Sequence, residues 1–163
     1  MKNIVDETCK VLGNGGTILY PTDTIWGLGC DACNENAIAR IYNIKHRDKG
    51  KSMLILVDSM EMMRKYTHSI PEIAEELIEA ADRPLTIIYP KAKNLPKNLV
   101  AEDGSIGIRI VNDEFCREVI GVFGKPIVST SANLSGCNPP LGFCDIADEI
   151  KSAMASFKGV DRR

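Results

Sequence analysis

Three stretches of this chain gather side chains that do chemistry. The first is Tyr20-Pro21-Thr22-Asp23-Thr24-Ile25-Trp26-Gly27-Leu28-Gly29, with hydroxyls, a carboxylate, the lone tryptophan and two glycines at what reads as the exit of a strand. Strand exits are where α/β folds build sites, although a capped turn anchored by tryptophan has the same composition. The second is Lys45-His46-Arg47-Asp48-Lys49-Gly50-Lys51-Ser52, whose cations outnumber what a helix C-terminus needs for its dipole. Such a set suits a polyphosphate, which asks for several donors and gains most from an arginine fork. The third, Ser129-Thr130-Ser131-Ala132-Asn133-Leu134-Ser135-Gly136, offers neutral donors after the strand Pro126-Ile127-Val128-Ser129, more than turn chemistry alone calls for.

Other patterns fail on context. Gly50-Lys51-Ser52 mimics the end of a phosphate-binding P-loop, but Lys45 occupies the position of its first glycine and a strand, not a helix, follows. Gly27-Leu28-Gly29-Cys30-Asp31-Ala32 fits the dinucleotide fingerprint, yet the next helix begins only near Asn34. Cys30 and Cys33 form one C-x-x-C pair without a second pair or histidines at zinc spacing, so the six cysteines read as packed thiols. Two histidines, His46 and His68, support no serine triad, and the scattered acids form no carboxylate cluster, so no protein-built metal site is expected.

The elements that must hold these groups alternate. Amphipathic spacing predicts helices over 3–13, from about Asn34, over 59–66 and 71–81 (with Pro71 in the first turn), from Asn112 or Asp113 to Phe123, and over 145–157. Strands are expected over 17–20, ended by Pro21, and at Met53–Val57, Leu85–Tyr89, Ser105–Val111 and Pro126–Ser129. Lys45 to Ser52 reads as a basic loop. Strands interleaved with helices predict an α/β domain, and the adjacent strands Leu85–Tyr89 and Ser105–Val111, lacking a helical crossover, predict a mixed sheet.

Composition bounds the rest. The 163 residues suit one domain, and 44% hydrophobic with 26% charged residues is globular. A net charge of −2 excludes bulk polycationic binding to nucleic acid, though local patches remain open. The longest apolar run is far too short to span a bilayer, and the acidic start Met1-Lys2-Asn3-Ile4-Val5-Asp6-Glu7 lacks a leader's apolar core, so a cytoplasmic protein is expected.

Together the three stretches resemble one family, the YrdC-like threonylcarbamoyl-AMP synthases. The likeness runs in order from about Gly15 to Asp148 through GGTILYPTDTIWGLG, the K-x-R pair of KHRDKGKSM, RPLTIIYP, SIGIRI and STSANLSG. It implies a single twisted, open mixed sheet flanked by helices, with a concave basic face. It implies a nucleotidyltransferase that uses L-threonine, bicarbonate and ATP. Its product, threonylcarbamoyl-AMP, would supply a partner transferase that modifies tRNA to threonylcarbamoyladenosine. Carried over by motif, Thr24, Arg109 and Ser129 correspond to threonine contacts. Arg47, Lys51, Ser105, Ser131 and Asn133 correspond to the ATP side, with Lys45 and Arg47 as the catalytic cations. Magnesium would ride on the ATP phosphates.

These assignments agree with the residues' own chemistry. A carboxylate wants a fixed cation, which Arg109 supplies from the otherwise apolar SIGIRI, unless Glu102 or Asp103 pairs with it at the surface. Displacement at phosphorus needs positioning and charge neutralisation more than a protein nucleophile. The chain departs from the family at Asp48, Ser52 and Met53. The YrdC-like domain is expected over 1–150, with 151–163 a short tail without the family's closing Ser-Thr-Ile segment and arginine. On that reading the chain binds ATP but forms adenylate slowly. Two alternatives stand beside it: a non-catalytic RNA-binding module of the same fold, poorly served by few aromatics, and a carbamoyl-adenylate-forming domain.

Overall fold

The computed structural model describes residues 1–22, 24–48 and 53–154. Helix α1 (Lys2–Gly13) buries Val5, Thr8 and Leu12 along one stripe, as the spacing predicts. Strands β1 (Ile18–Pro21) and β2 (Trp26–Asp31) then form an antiparallel hairpin. Two expectations change here. Pro21 belongs to the strand as its last residue, opposite Trp26, which it can because β1 is the sheet's edge and its missing N–H breaks no ladder. The segment read as a loop, from Trp26 on, is instead a strand buried at all six positions. Two glycines and no polar alternation concealed it.

Helix α2 (Glu35–Lys45) starts at Asn34, whose Oδ1 accepts from the Ala37 N–H at 3.0 Å. The helix carries through Lys45, so the first cation of the basic stretch is helical rather than part of a loop. His46 then turns the chain in the left-handed region, φ 51°. Strand β3 (Leu54–Val57) leads to α3 (Met60–Met63), a single turn capped by Ser59 and shorter than the expected span to Tyr66. Pro71 caps α4 (Glu72–Ala80) from outside the first turn. Strands β4 (Thr86–Tyr89) and β5 (Ile106–Ile110) follow, then α5 (Glu114–Phe123), whose N-cap is Asp113, accepting from the Cys116 N–H at 2.8 Å. Strand β6 (Ile127–Ser131) reaches into the hydroxyl-rich stretch. The expected last helix is split: Asp145 closes a short 3₁₀ turn by accepting from the Gly142 N–H at 2.9 Å, and α6 (Asp148–Ala153) starts afresh. The part of that expectation from residue 155 on lies outside the described residues.

The six strands form one open mixed sheet in the order β1-β2-β6-β3-β5-β4, with β3 and β5 the parallel pair. This is the α/β architecture the alternation predicts. One large core runs from Leu12 on α1 through Ile41 on α2 and Ile55 on β3 to Phe115 on α5. A second cluster gathers Leu19, Trp26, Leu28 and Ala132 beneath Ile146, Ile150 and Met154. No helix among the described residues is long and apolar enough to cross a membrane.

Candidate functional site

Register puts the chemistry on one face. Tyr20 lies opposite Gly27, Gly27 opposite Ser131, Gly29 opposite Ser129, Ser129 opposite Leu54, and Leu56 opposite Arg109. Paired residues point the same way, so these side chains share a surface. A hollow of about 120 Å³ opens there, lined by Thr22, Thr24, Ile25, Gly27, Leu54, Arg109, Ser129, Thr130 and Ser131. That volume suits a small amino acid and is far below what a nucleotide fills.

Arg109 is half-buried on β5, and among the described residues no carboxylate pairs with it. Asp103, one of the acids that could have paired with it, instead accepts from the Ser105 hydroxyl at 2.6 Å and the Ser105 N–H at 3.0 Å. Those bonds hold its carboxyl below the ordinary range. Arg109 therefore presents a cation to the hollow.

Thr22 builds the turn that carries Thr24. Its Oγ1 donates to the Ile25 carbonyl at 2.6 Å, accepts from the Thr24 and Ile25 N–H groups at 3.1 Å each, and meets the Thr24 hydroxyl at 3.1 Å. On β6, Ser129 is buried and its Oγ accepts from the Tyr20 hydroxyl at 2.9 Å. Burial above all keeps the Tyr20 phenol protonated far above its usual range.

Lys45 is buried, its ammonium turned onto the main-chain carbonyl of Ser131, while its own carbonyl accepts from the Ser135 N–H at 2.9 Å. Burial, then the nearby Arg47 charge, lower its pKa to about 8. Arg47 is half-buried just beyond His46. Asn133 donates to the Leu134 and Cys137 carbonyls at 3.0 and 2.8 Å, and its buried Oδ1 has no partner among the described residues.

The site residues expected from the sequence thus fall into groups. Thr24, Arg109, Ser129 and Ser131 share the hollow. Ser105 lies in an adjoining hollow of about 200 Å³ with Met53, Thr86, Ile88 and Gly107, across Leu54, which borders both. Lys45 stands behind Ser131, and Asn133 follows two residues later. Lys51, like Asp23, lies outside the described residues. Tyr20, Thr22 and Thr130 lie within the stretches the sequence gathers but were given no role of their own there, and Leu54 was read only as part of a buried strand; their places at the hollow need the strand register. Of the cysteines, Cys30 and Cys116 are buried, but Cys33, Cys137 and Cys144 are exposed rather than packed, and all six are free thiols. Among the described residues no three His, Cys, Asp or Glu side chains gather as metal ligands.

An open mixed sheet with, on one face, an arginine without an ion pair among the described residues, set among hydroxyls, is a candidate small-molecule site of an α/β protein, with a charge suited to an anionic ligand. The Sua5–YciO–YrdC family model, described as "Telomere recombination", matches residues 10–157, and the chain belongs to that family. Threonylcarbamoyl-AMP synthase of Pseudoalteromonas translucida (strain TAC 125) is 37% identical over 153 residues, 92% of this chain and 81% of the relative. The protein of the same name from Psychromonas ingrahamii is 33% identical over 151 residues, 91% and 79% of the two chains. Among solved structures, P. abyssi Sua5 complexed with L-threonine superposes with a TM-score of 0.83 at 29% identity, over 88% of this chain. This chain spans only 43% of that protein.

Proposed function

We propose that this chain forms threonylcarbamoyl-AMP and pyrophosphate from L-threonine, bicarbonate and ATP, in the cytoplasm. The product would serve a transferase that modifies tRNA. The observation that carries the reading is the amino-acid-sized hollow in which, among hydroxyls, stands an arginine without an ion pair among the described residues. The relatives' name and the threonine complex of P. abyssi Sua5 support it.

In this mechanism the Arg109 guanidinium holds the threonine carboxylate, and the hydroxyls of Thr24 and Ser129 fix the rest of the molecule. The neutral threonine amine adds to the carbon of bicarbonate, a hydroxide leaves and takes up the amine proton as water, and a carbamate results. A carbamate oxygen then attacks the α-phosphorus of ATP, the bond from that phosphorus to the α,β-bridging oxygen breaks, and pyrophosphate leaves with the electron pair. Arg47 and Lys51 neutralise the phosphates, and Ser105, Ser131 and Asn133 hold the nucleotide. Lys45, through its bond to the Ser131 carbonyl, sets the strand end on which the two substrates meet. The donor set is cationic and neutral, without a carboxylate cluster among the described residues, and so does not fit a protein-built magnesium cage. Any magnesium would come with the ATP phosphates.

The test follows product and pyrophosphate in mixtures lacking one component at a time. Adenylate should appear only when threonine, bicarbonate and ATP are all present. Pyrophosphate release without threonine, or none with all three, overturns the proposal.

A further inference from the structure

Tyr20 and Ser129 belong to strands β1 and β6, which are not neighbours: β2 runs between them. Two strand spacings come to about 9–10 Å, so a side chain bridges them only where the middle strand offers no obstacle. Gly27 and Gly29 leave that gap. A Cβ on Gly29 would lie 2.9 Å from Tyr20 Cε1 and 2.8 Å from the Val128 carbonyl oxygen, and one on Gly27 would lie 3.3 Å from Tyr20 Cζ. The G-x-G spacing, with the period of a strand, is a shelf for the tyrosine ring rather than a nucleotide fingerprint.

We infer that Tyr20 is a positioning residue for the amino-acid pocket: by donating to Ser129 Oγ across the Gly27–Gly29 shelf, it turns the serine's own O–H into the hollow as a donor to the substrate. The inference rests on the threonine reading of that hollow. The geometry is specific. Ser129 Oγ accepts the phenol proton at 2.9 Å, and Ser129 also lines the hollow with Thr24 and Arg109. A hydroxyl accepting from a buried phenol has that side engaged, and its own proton must point elsewhere. Tyr20 is 2% exposed, so burial keeps its proton in place and fixes the direction of the pair. With Arg109 and Ser129 both donating, the pocket favours a ligand whose oxygens accept, such as a carboxylate or the carbamate formed on it.

The experiment measures threonine and ATP binding to the full chain by calorimetry, for wild type, Tyr20→Phe, Ser129→Ala and the double variant. Tyr20→Phe keeps the ring on its shelf and removes only the hydroxyl. It should weaken threonine about threefold to tenfold while leaving ATP unchanged. In the Ser129→Ala background the same change should cost threonine binding nothing further, because Tyr20 acts through the serine. Gly29→Ala, which pushes the ring off its shelf while keeping the hydroxyl, is an independent variant expected to weaken threonine as well. Threonine binding as in wild type for Tyr20→Phe, or an equal loss in both backgrounds, overturns the inference while sparing the proposed function. A wild-type chain that binds no threonine removes both.

Discussion

Arg109 and Lys45 carry the same charge, the one sharing a hollow with Ser131 and the other bonded to the Ser131 carbonyl, yet the fold treats them oppositely. Arg109 lines the hollow half-buried and without an ion pair among the described residues. Lys45 is buried to 1% exposure, its ammonium spent on a main-chain carbonyl. One cation is left for a ligand, and the other ties the end of α2 to β6. Mutating the first should cost binding, and mutating the second should cost the fold before it costs binding.

The largest effect should come from Lys45→Ala, which removes both the packed aliphatic stem and the charged donor to Ser131. A loss of about 2–4 kcal/mol in unfolding free energy is expected in urea denaturation. Undiminished stability with weaker ATP binding would move Lys45 to the ligand's side of the comparison. Arg109→Leu should do the reverse. Threonine affinity should fall by about 1.5–3 kcal/mol, with stability unchanged or improved, since no carboxylate among the described residues is left unpaired. Threonine binding that survives the change removes the carboxylate role from Arg109. Arg47→Ala tests an intermediate case: ATP affinity should drop by about 1.5 kcal/mol and lose part of its salt dependence. A salt slope equal to that of wild type would take Arg47 off the phosphates.

The last effect is in pH. The Lys45 pKa falls from 10.5 to about 8 on folding, so between those values the unfolded chain holds a proton that the folded chain has released. Stability from this group therefore rises with pH across that window and is lost again as pH falls through 8. The stability difference between wild type and Lys45→Met should widen in favour of wild type from pH 8 to 10.5, measured by thermal melts in matched buffers. A difference that stays flat would mean that the ammonium is not desolvated by the fold.

The sequence made the alternation of elements legible, and with it the α/β class and the mixed sheet, because amphipathic helices and apolar strands have distinct periods. The N-cap Asn34 was legible for the same local reason, and Asp113 was one of two candidates with Asn112, whereas Ser59, read as the first helical residue, proves to be a cap outside the helix. Strand β2 was not, since a segment buried on both faces has no alternation and its glycines read as turn. The hollow's Thr24, Arg109, Ser129 and Ser131 came from motif resemblance, not from periodicity. The burial of Lys45 was hidden because it heads a run of solvent-loving residues, while α2 extends just far enough to claim it. Tyr20's link to Ser129 depends on which strands are neighbours, information that no local window contains.

The chain's lone tryptophan, Trp26, has no exposed surface and sits edge-on to Phe143, ring centroids 5.4 Å apart, at the start of the same strand that carries the glycine shelf. Phe143 in turn lies under Lys151 Nζ, 4.9 Å from its ring centre. A single, fully buried indole between β2 and the segment ending in α6 is a built-in optical gauge. Its emission reports one location, so a red shift on mild denaturation would time the lifting of that segment apart from melting of the larger core. No label or engineered fluorophore is needed to watch the two parts of the molecule come apart in sequence.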